Sequence, residues 1–356
     1  MALKRGFGVR KFDYSPLLEL SLPVSMYHTI AQIHEYKGRQ TFYVENYPDI
    51  LEGMIDVAKI QSAKSSNAIE GIYTNNTRLQ ELMKKKTEPK NRNEEEIAGY
   101  RYVLDMIHEN YAYITFSKND ILTLHNRLYS YSAVNYKGRF KAADNAIVEI
   151  DRTGNKTVRF QPVSTFETER YFDEMIRAYN RAMEAQIPPL LVIPAVILDF
   201  LCIHPFEDGN GRMSRLLTFL LLYKHEYFVG RYISIEMLIE ESKESYYSCL
   251  RESSEKWHEG ENNAVPFIIY MLGILLKAYT QCDERFRLIA EKKQTSAERV
   301  LSVITKSLEP LSKRDIMILC PGISQRTVER ALKELQDTKK IRQIDKGRAT
   351  RYVKRV

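Results

Sequence analysis

The sequence predicts an all-α fold, interrupted by one β-hairpin and followed by a small basic module. Three observations carry that prediction. Apolar residues recur at the 3.6-residue spacing of an amphipathic helix along most of the first 290 positions. Two β-branched runs flank a single Gly-Asn turn, and positive charge gathers in the residues that follow 290. The chain has 356 residues, 44% of them apolar, enough for one large core with appendages or for two to three domains.

The first helix of note begins near Gly53 and ends in Ser65-Ser66-Asn67-Ala68-Ile69-Glu70-Gly71, where Gly71 is a natural stop and Ser66 and Glu70 lie one turn apart on one face. The polar run Glu88 to Glu96, with Pro89, reads as an exposed connector. Ile97, Tyr100, Val103, Leu104 and Ile107 mark the next helix. Ile121, Leu122, Leu124 and Leu128 mark another, with Ser117 or Asn119 as its cap. The runs Ala146 to Ile150 and Lys156 to Phe160 read as a hairpin around 151–155. Such a pair is marginally stable alone, so it needs a surface to lie on or a task as an edge. A helix from Phe166 to Met183 follows, started by Ser164 or Thr165 with Glu167 and Glu169 in its first turn. Two apolar helices, Leu190 to Ile203 and Arg212 to Tyr223, enclose a tight loop, and Asp283 to Thr295 carries the last body helix into a linker.

The tail has its own pattern. Helices are expected near Ala297 to Thr305, from Ser312 to about Leu319, and from Ser324 to Gln336, then two short strands, Ile341 to Ile344 and Arg351 to Val353. Three helices followed by a hairpin is the order of a winged helix-turn-helix. Residues 291–356 hold 17 Lys and Arg against 8 Asp and Glu, so this part is basic while the remainder is close to neutral. Gln325, Arg326, Glu329, Arg330 and Lys333 would form the polar face of a recognition helix, with Arg348 and Arg351 in the wing, which makes DNA a candidate partner. Winged helices also dock proteins, and Glu329 and Glu334 dilute the basic face. The expected division is 1–95 as an N-terminal helical region, 96–290 as the main domain and 291–356 as the winged helix.

Cys202, Cys249, Cys282 and Cys320 are scattered without a CxxC spacing and read as reduced core residues of a cytoplasmic protein. Lys4, Arg5, Arg10 and Lys11 have no apolar run behind them, unlike a signal peptide. The greasiest stretches, Pro189 to Phe206 and Val265 to Leu276, are interrupted by Pro194, Asp199 and His204 or are too short to span a bilayer, so no membrane is expected as a partner.

The chemistry is concentrated in the loop His204-Pro205-Phe206-Glu207-Asp208-Gly209-Asn210-Gly211-Arg212-Met213-Ser214-Arg215. It sets out a proton acceptor, a carboxylate, a glycine-rich turn able to present N–H groups at a helix start, and two arginines, the equipment for handling phosphate. Singly, each residue is more often a cap, a turn or a solvated face; their joint spacing overturns that. The stretch resembles the Fic signature His-x-Phe-x-Asp/Glu-Gly-Asn-Gly-Arg-x-x-Arg at every specified position, and the likeness is to a catalytic body of about residues 50–280.

That resemblance implies a Fic-type helical bundle in which AMP passes from ATP to a Ser, Thr or Tyr hydroxyl of a target protein, and of the chain itself. His204 would be the general base and Asp208 the ligand of Mg²⁺. Gly209, Asn210 and Gly211 would cradle the phosphates, and Arg212 and Arg215 would close on the distal ones. The hairpin, with Ile147, Val148, Glu149 and Ile150, stands where that family has a target-binding flap. Tyr246 and Tyr247 match a nucleotide-binding tyrosine pair, although such a pair is also ordinary core packing. Ser254 stands where relatives often have Asn.

Ser66 and Glu70 resemble the family's inhibitory motif, Ser/Thr-x-x-x-Glu-Gly/Asn, which implies an inhibitory helix of about 53–71 whose Glu70 blocks Arg215. Two other readings stay open: removal of AMP by the same site, and a nucleotide-sensing DNA-binding regulator. A homodimer is a further candidate assembly.

Overall fold

Local start signals place most of the helices. The computed structural model describes residues 10–20, 22–46, 48–150, 156–293, 295–307, 309–320, 322–345, 347 and 350–355. The hairpin turn 151–155, Arg348, and the side chains of Glu149 and Ile150 lie outside the described residues. The chain forms two compact units, Met1–Asp283 and Glu284–Val356.

In the first unit α1 (Val24–Asn46) precedes α2 (Pro48–Ile69), which opens on proline, a residue suited to the first helical turn because its missing N–H needs no partner there. The helix therefore starts ahead of the expected Gly53. It ends with Gly71 at φ +79°, with the Gly71 and Ile72 amides donating back to Ala68 and Asn67. α3 (Asn76–Met83) and α4 (Arg92–Asn110) are capped by Asn75 and Asn91. Here the expectation of an exposed connector up to Glu96 fails: Asn91 starts a helix that buries Glu94 and Glu96 against arginines from elsewhere. α5 (Lys118–Leu128) takes Ser117 as its cap, and after β1 (Ile147–Ile150) and β2 (Lys156–Phe160) comes α6 (Thr165–Glu184). Ser164 makes no cap bond there; the Asp144 carboxylate accepts from the Thr165 amide and hydroxyl at 2.6 and 2.8 Å instead.

α7 (Pro189–Ile203) is apolar around nearly its whole circumference, so it is buried on all sides, packed between α6 and α8 (Asn210–Lys224). α9 (Ile235–Glu241) lies along α2, α10 (Lys243–Ser254) against α7, and α11 (Val265–Lys293) follows. The apolar stretch expected to stop at Leu276, too short to span a bilayer, continues: the Val265–Ile289 part of α11 has the length and composition to cross one. Phe267, Ile268, Met271, Leu272, Leu275 and Ala278 from that stretch are buried in the protein's own core.

The second unit contains α12 (Ser296–Lys306), α13 (Lys313–Leu319), α14 (Gln325–Asp337) and the antiparallel pair β3 (Ile341–Ile344) and β4 (Arg351–Lys354). Thr295 and Ser312 form capping boxes with Glu298 and Asp315, and Ser324 caps α14. Val300, Ile304, Ile316, Val328, Leu332, Leu335 and Ile341 make its separate apolar core, and Leu311 bonds both ways with Tyr352 to add a bridge at the edge of the pair.

Candidate active site

The loop between α7 and α8 is held from inside. Asn210 Nδ2 donates to the Phe206 carbonyl at 2.8 Å and its Oδ1 accepts the Phe206 amide at 2.9 Å, closing the loop on itself. The Phe206 ring stacks on His125, with centroids 3.8 Å apart. His125 Nδ1 accepts from the Gly138 amide, which leaves Nε2–H to donate to the Asp208 carbonyl at 3.1 Å and fixes the neutral tautomer. Burial holds the His125 pKa down to about 4, so this support stays neutral. Gly209, at φ +82°, turns the chain into α8 where a Cβ would stand 2.9 Å from the Tyr129 hydroxyl.

His204 ends α7 in the left-handed region, φ 51° and ψ 61°, a conformation a non-glycine residue adopts at a cost and one met at functional sites. Its Nδ1 lies 3.3 Å from the Leu201 carbonyl; since a carbonyl only accepts, the ring proton sits there and Nε2 keeps its lone pair. Burial first, then the positive Lys141 and Arg159, bring its pKa down to about 4, against the pull of the Leu201 bond and Glu70. Lys141 braces the same corner: its amide donates to Pro205, its Nζ to Asn145 and the Ile203 carbonyl, and burial lowers its pKa to about 8.

His204 faces a cleft of about 720 Å³. Gly211 and Arg215 of α8, Tyr246 and Tyr247 of α10, Ile147 and Val148 of the hairpin, and Glu70 all line it, as does Ser254. Arg215 is tied to the end of α2 by three bonds. Its Nε donates to Ser66 Oγ at 2.8 Å, and its Nη2 to the Ser66 carbonyl at 2.9 Å and Glu70 Oε1 at 2.8 Å. Burial works against this guanidinium's charge, but Glu70, Tyr246 and Tyr100 together outweigh it and its pKa is raised. The Glu70 carboxylate rests on the first turn of α8: a Cβ on Gly211 would lie 2.2 Å from Glu70 Oε1. Only glycine there lets a carboxylate come so close to the helix start, where N–H groups and dipole favour an anion. Lys243 donates to the Ile69 carbonyl at 2.7 Å and holds the same end of α2.

Residues 115–222 match the Fic/DOC family. That stretch is similar to a Fic/DOC domain. Solved structures with the same fold include a Fic family protein from Desulfovibrio desulfuricans G20, 19% identical over 94% of this chain and 97% of that one, TM-score 0.62. A Fic domain containing signaling protein from Bacteroides thetaiotaomicron VPI-5482 is 20% identical over 73% and 97%, TM-score 0.60. Fic-1 (aa134–508) from C. elegans is 15% identical over 78% and 76%, TM-score 0.59. Fic domain proteins are generally transferases acting on nucleotides.

Some of the expected residues are engaged differently here. The Arg212 side chain, 1% exposed, turns inward to Glu96 Oε2 at 2.8 Å and the Tyr129 hydroxyl at 2.8 Å, so it buttresses the loop and does not line the cleft. Asn210 commits its side chain to Phe206, leaving its backbone as the part at the helix start. Asp208 is 41% exposed, its Oδ1 accepting the Gly209 amide at 2.6 Å and its Oδ2 lying 3.3 Å from Arg92 Nη2. Among the described residues no group of three or more His, Cys, Asp or Glu is placed to hold a metal. One accessible carboxylate fits a magnesium ion that takes its other ligands from phosphate and water. Glu96, Tyr129, His125 and Lys243 gave no signal of a role at the site in sequence, since each acts through partners far along the chain.

Proposed function

We propose that this chain is an autoinhibited protein adenylyltransferase. The observation that carries the reading is the Glu70 carboxylate seated against Gly211 and Arg215, an anion of the chain's own occupying the place and the arginine that a phosphate group would need. With Glu70 withdrawn, a triphosphate would lie with its charge on the α8 amides and Arg215, and the base between Tyr246 and Tyr247 and the hairpin. Magnesium on Asp208 would neutralise charge across the phosphates. The hydroxyl oxygen of a target Ser, Thr or Tyr attacks the α-phosphorus, its proton passes to His204 Nε2, and the bond to the bridging oxygen of the leaving pyrophosphate breaks. The hairpin is read as the edge that holds the target segment.

If the blocked state is favoured by about 2.7 kcal/mol, about 1% of molecules are competent. Self-labelling from labelled ATP with Mg²⁺ should then rise roughly a hundredfold in Glu70→Gly and vanish in Glu70→Gly combined with His204→Ala. Equal labelling by the parent chain and Glu70→Gly would sink the proposal. Glu70 also faces the base across the cleft, where it could direct a water at an AMP-modified target; incubating pre-modified target with the parent chain and with Glu70→Gly separates removal from transfer.

For the second unit we propose a winged helix that contacts DNA through α14. Arg326, Arg330 and Lys333 are exposed at helical spacing, while Val328, Leu332 and Leu335 of the same helix enter the core.

A further inference from the structure

We infer that Arg10 is a positioning residue that sets both the α7 helix carrying His204 and the β2 strand of the hairpin; this rests on the transferase reading above. Arg10, Tyr14 and Trp257 converge on one buried carboxylate, Asp199, five residues before His204. Arg10 Nη2 reaches Asp199 Oδ1 at 2.7 Å, Trp257 Nε1 donates to the same oxygen at 2.7 Å, and the Tyr14 hydroxyl donates to Oδ2 at 2.8 Å. A carboxylate buried to this degree in an apolar helix is tolerable only with such a set of donors.

Arg10 does more than neutralise. Its Nη1 donates to the Trp257 carbonyl at 2.8 Å and Asn262 Oδ1 at 2.6 Å, and its guanidinium lies 4.4 Å over the Trp257 ring. Trp257 meets Phe160 of β2 edge-on at 6.2 Å, and His258 stacks on the other side of the link, 5.3 Å from Phe160 and bonded to the Gln161 carbonyl at 2.7 Å. One side chain thus touches both walls of the cleft at second hand: α7, whose Leu198, Leu201 and Cys202 line it, and β2, whose Arg159 and Phe160 line it. A planar fork with five donors makes these contacts together; an ammonium cannot.

The full chain supplies its own probe, because Trp257 is its only tryptophan. Arg10→Ala should shift the emission of Trp257 to longer wavelength and speed hydrogen exchange of the β2 amides about tenfold, with α8 unchanged. In the Glu70→Gly background it should raise the acceptor KM about tenfold while nucleotide affinity stays within about twofold, with Arg10→Lys in between. His258→Ala, at a half-exposed position that leaves Asp199 and its donors in place, should reproduce the β2 exchange and acceptor KM effects. Unchanged β2 exchange in both variants overturns the inference, as does uniform loosening of β2 and α8. Fluorescence and exchange read Arg10 whether or not any labelling occurs, so failure of the transferase reading is told apart.

Discussion

Gly211 and Glu70 compete for one volume, and that fixes what each substitution does. A methyl on Gly211 would displace the Glu70 carboxylate by occupying its place, 2.2 Å from Oε1, and would equally obstruct a phosphate seated there. Gly211→Ala should therefore stay inactive although it breaks the inhibitory contact, and should reduce labelling by Glu70→Gly about a hundredfold, the order of losing one preorganised anion donor. Labelling by Glu70→Gly with Gly211→Ala equal to that by Glu70→Gly would refute this placement. His204 makes the second residue-level prediction. With its pKa near 4, the base stays neutral down to about pH 5, so transfer in Glu70→Gly should fall only below that, well under the 6.5 of a free imidazole. Glu70 raises that pKa, so its removal moves the fall lower still. Stability follows the same sign. The unfolded chain takes up protons on His204 and His125 below about pH 6.5 that the folded chain refuses until about 4, so the melting temperature should drop across that window.

The end of α2 works as an element because its hold on Arg215 is shared among a hydroxyl, a carbonyl and a carboxylate. Farther back, Ser62 and Tyr100 donate to the buried Glu236 of α9, which fixes the register of α2. Ser66→Ala leaves the Arg215 Nε proton without its acceptor in the blocked state, a penalty of about 1–2 kcal/mol, whereas in the released state water or phosphate can take it. Ser66→Ala should raise labelling roughly 5- to 30-fold, short of Glu70→Gly; no increase would mean that the hydroxyl adds nothing to the hold of the carbonyl and the carboxylate. This level also shows what could be read from sequence. Start and stop signals that act within a few residues, such as Ser117, Ser312, Ser324 and Gly71, were legible because cap and helix are neighbours. Asp144, which caps α6 from 21 residues away, was not. The same divide runs through the site: the loop from His204 to Arg215 declares its chemistry in one stretch, but Arg212's turn inward depends on Glu96, a residue that reads as exposed connector until α4 brings it to the loop.

Across the whole molecule, charge and core separate together. The second unit has its own apolar cluster and its share of the basic excess, so its partner can be tested apart from the first unit's activity. Not every cation there is available: Lys313 pairs with Glu329 at 2.7 Å and Arg351 with Asp315 at 3.4 Å. Exposed pairs of this kind are worth little, and a phosphate can replace the acid. If Arg326, Arg330 and Lys333 each neutralise one phosphate, the logarithm of affinity for duplex DNA should fall with the logarithm of salt at a slope of about −2.7, or about fortyfold between 50 and 200 mM. Arg330→Ala should lower that slope by about 1, while His204→Ala leaves it unchanged, since no step of nucleotide transfer is needed to bind a backbone. A slope near zero, or binding lost equally on His204→Ala, would assign α14 to another partner and leave the basic tail without this role.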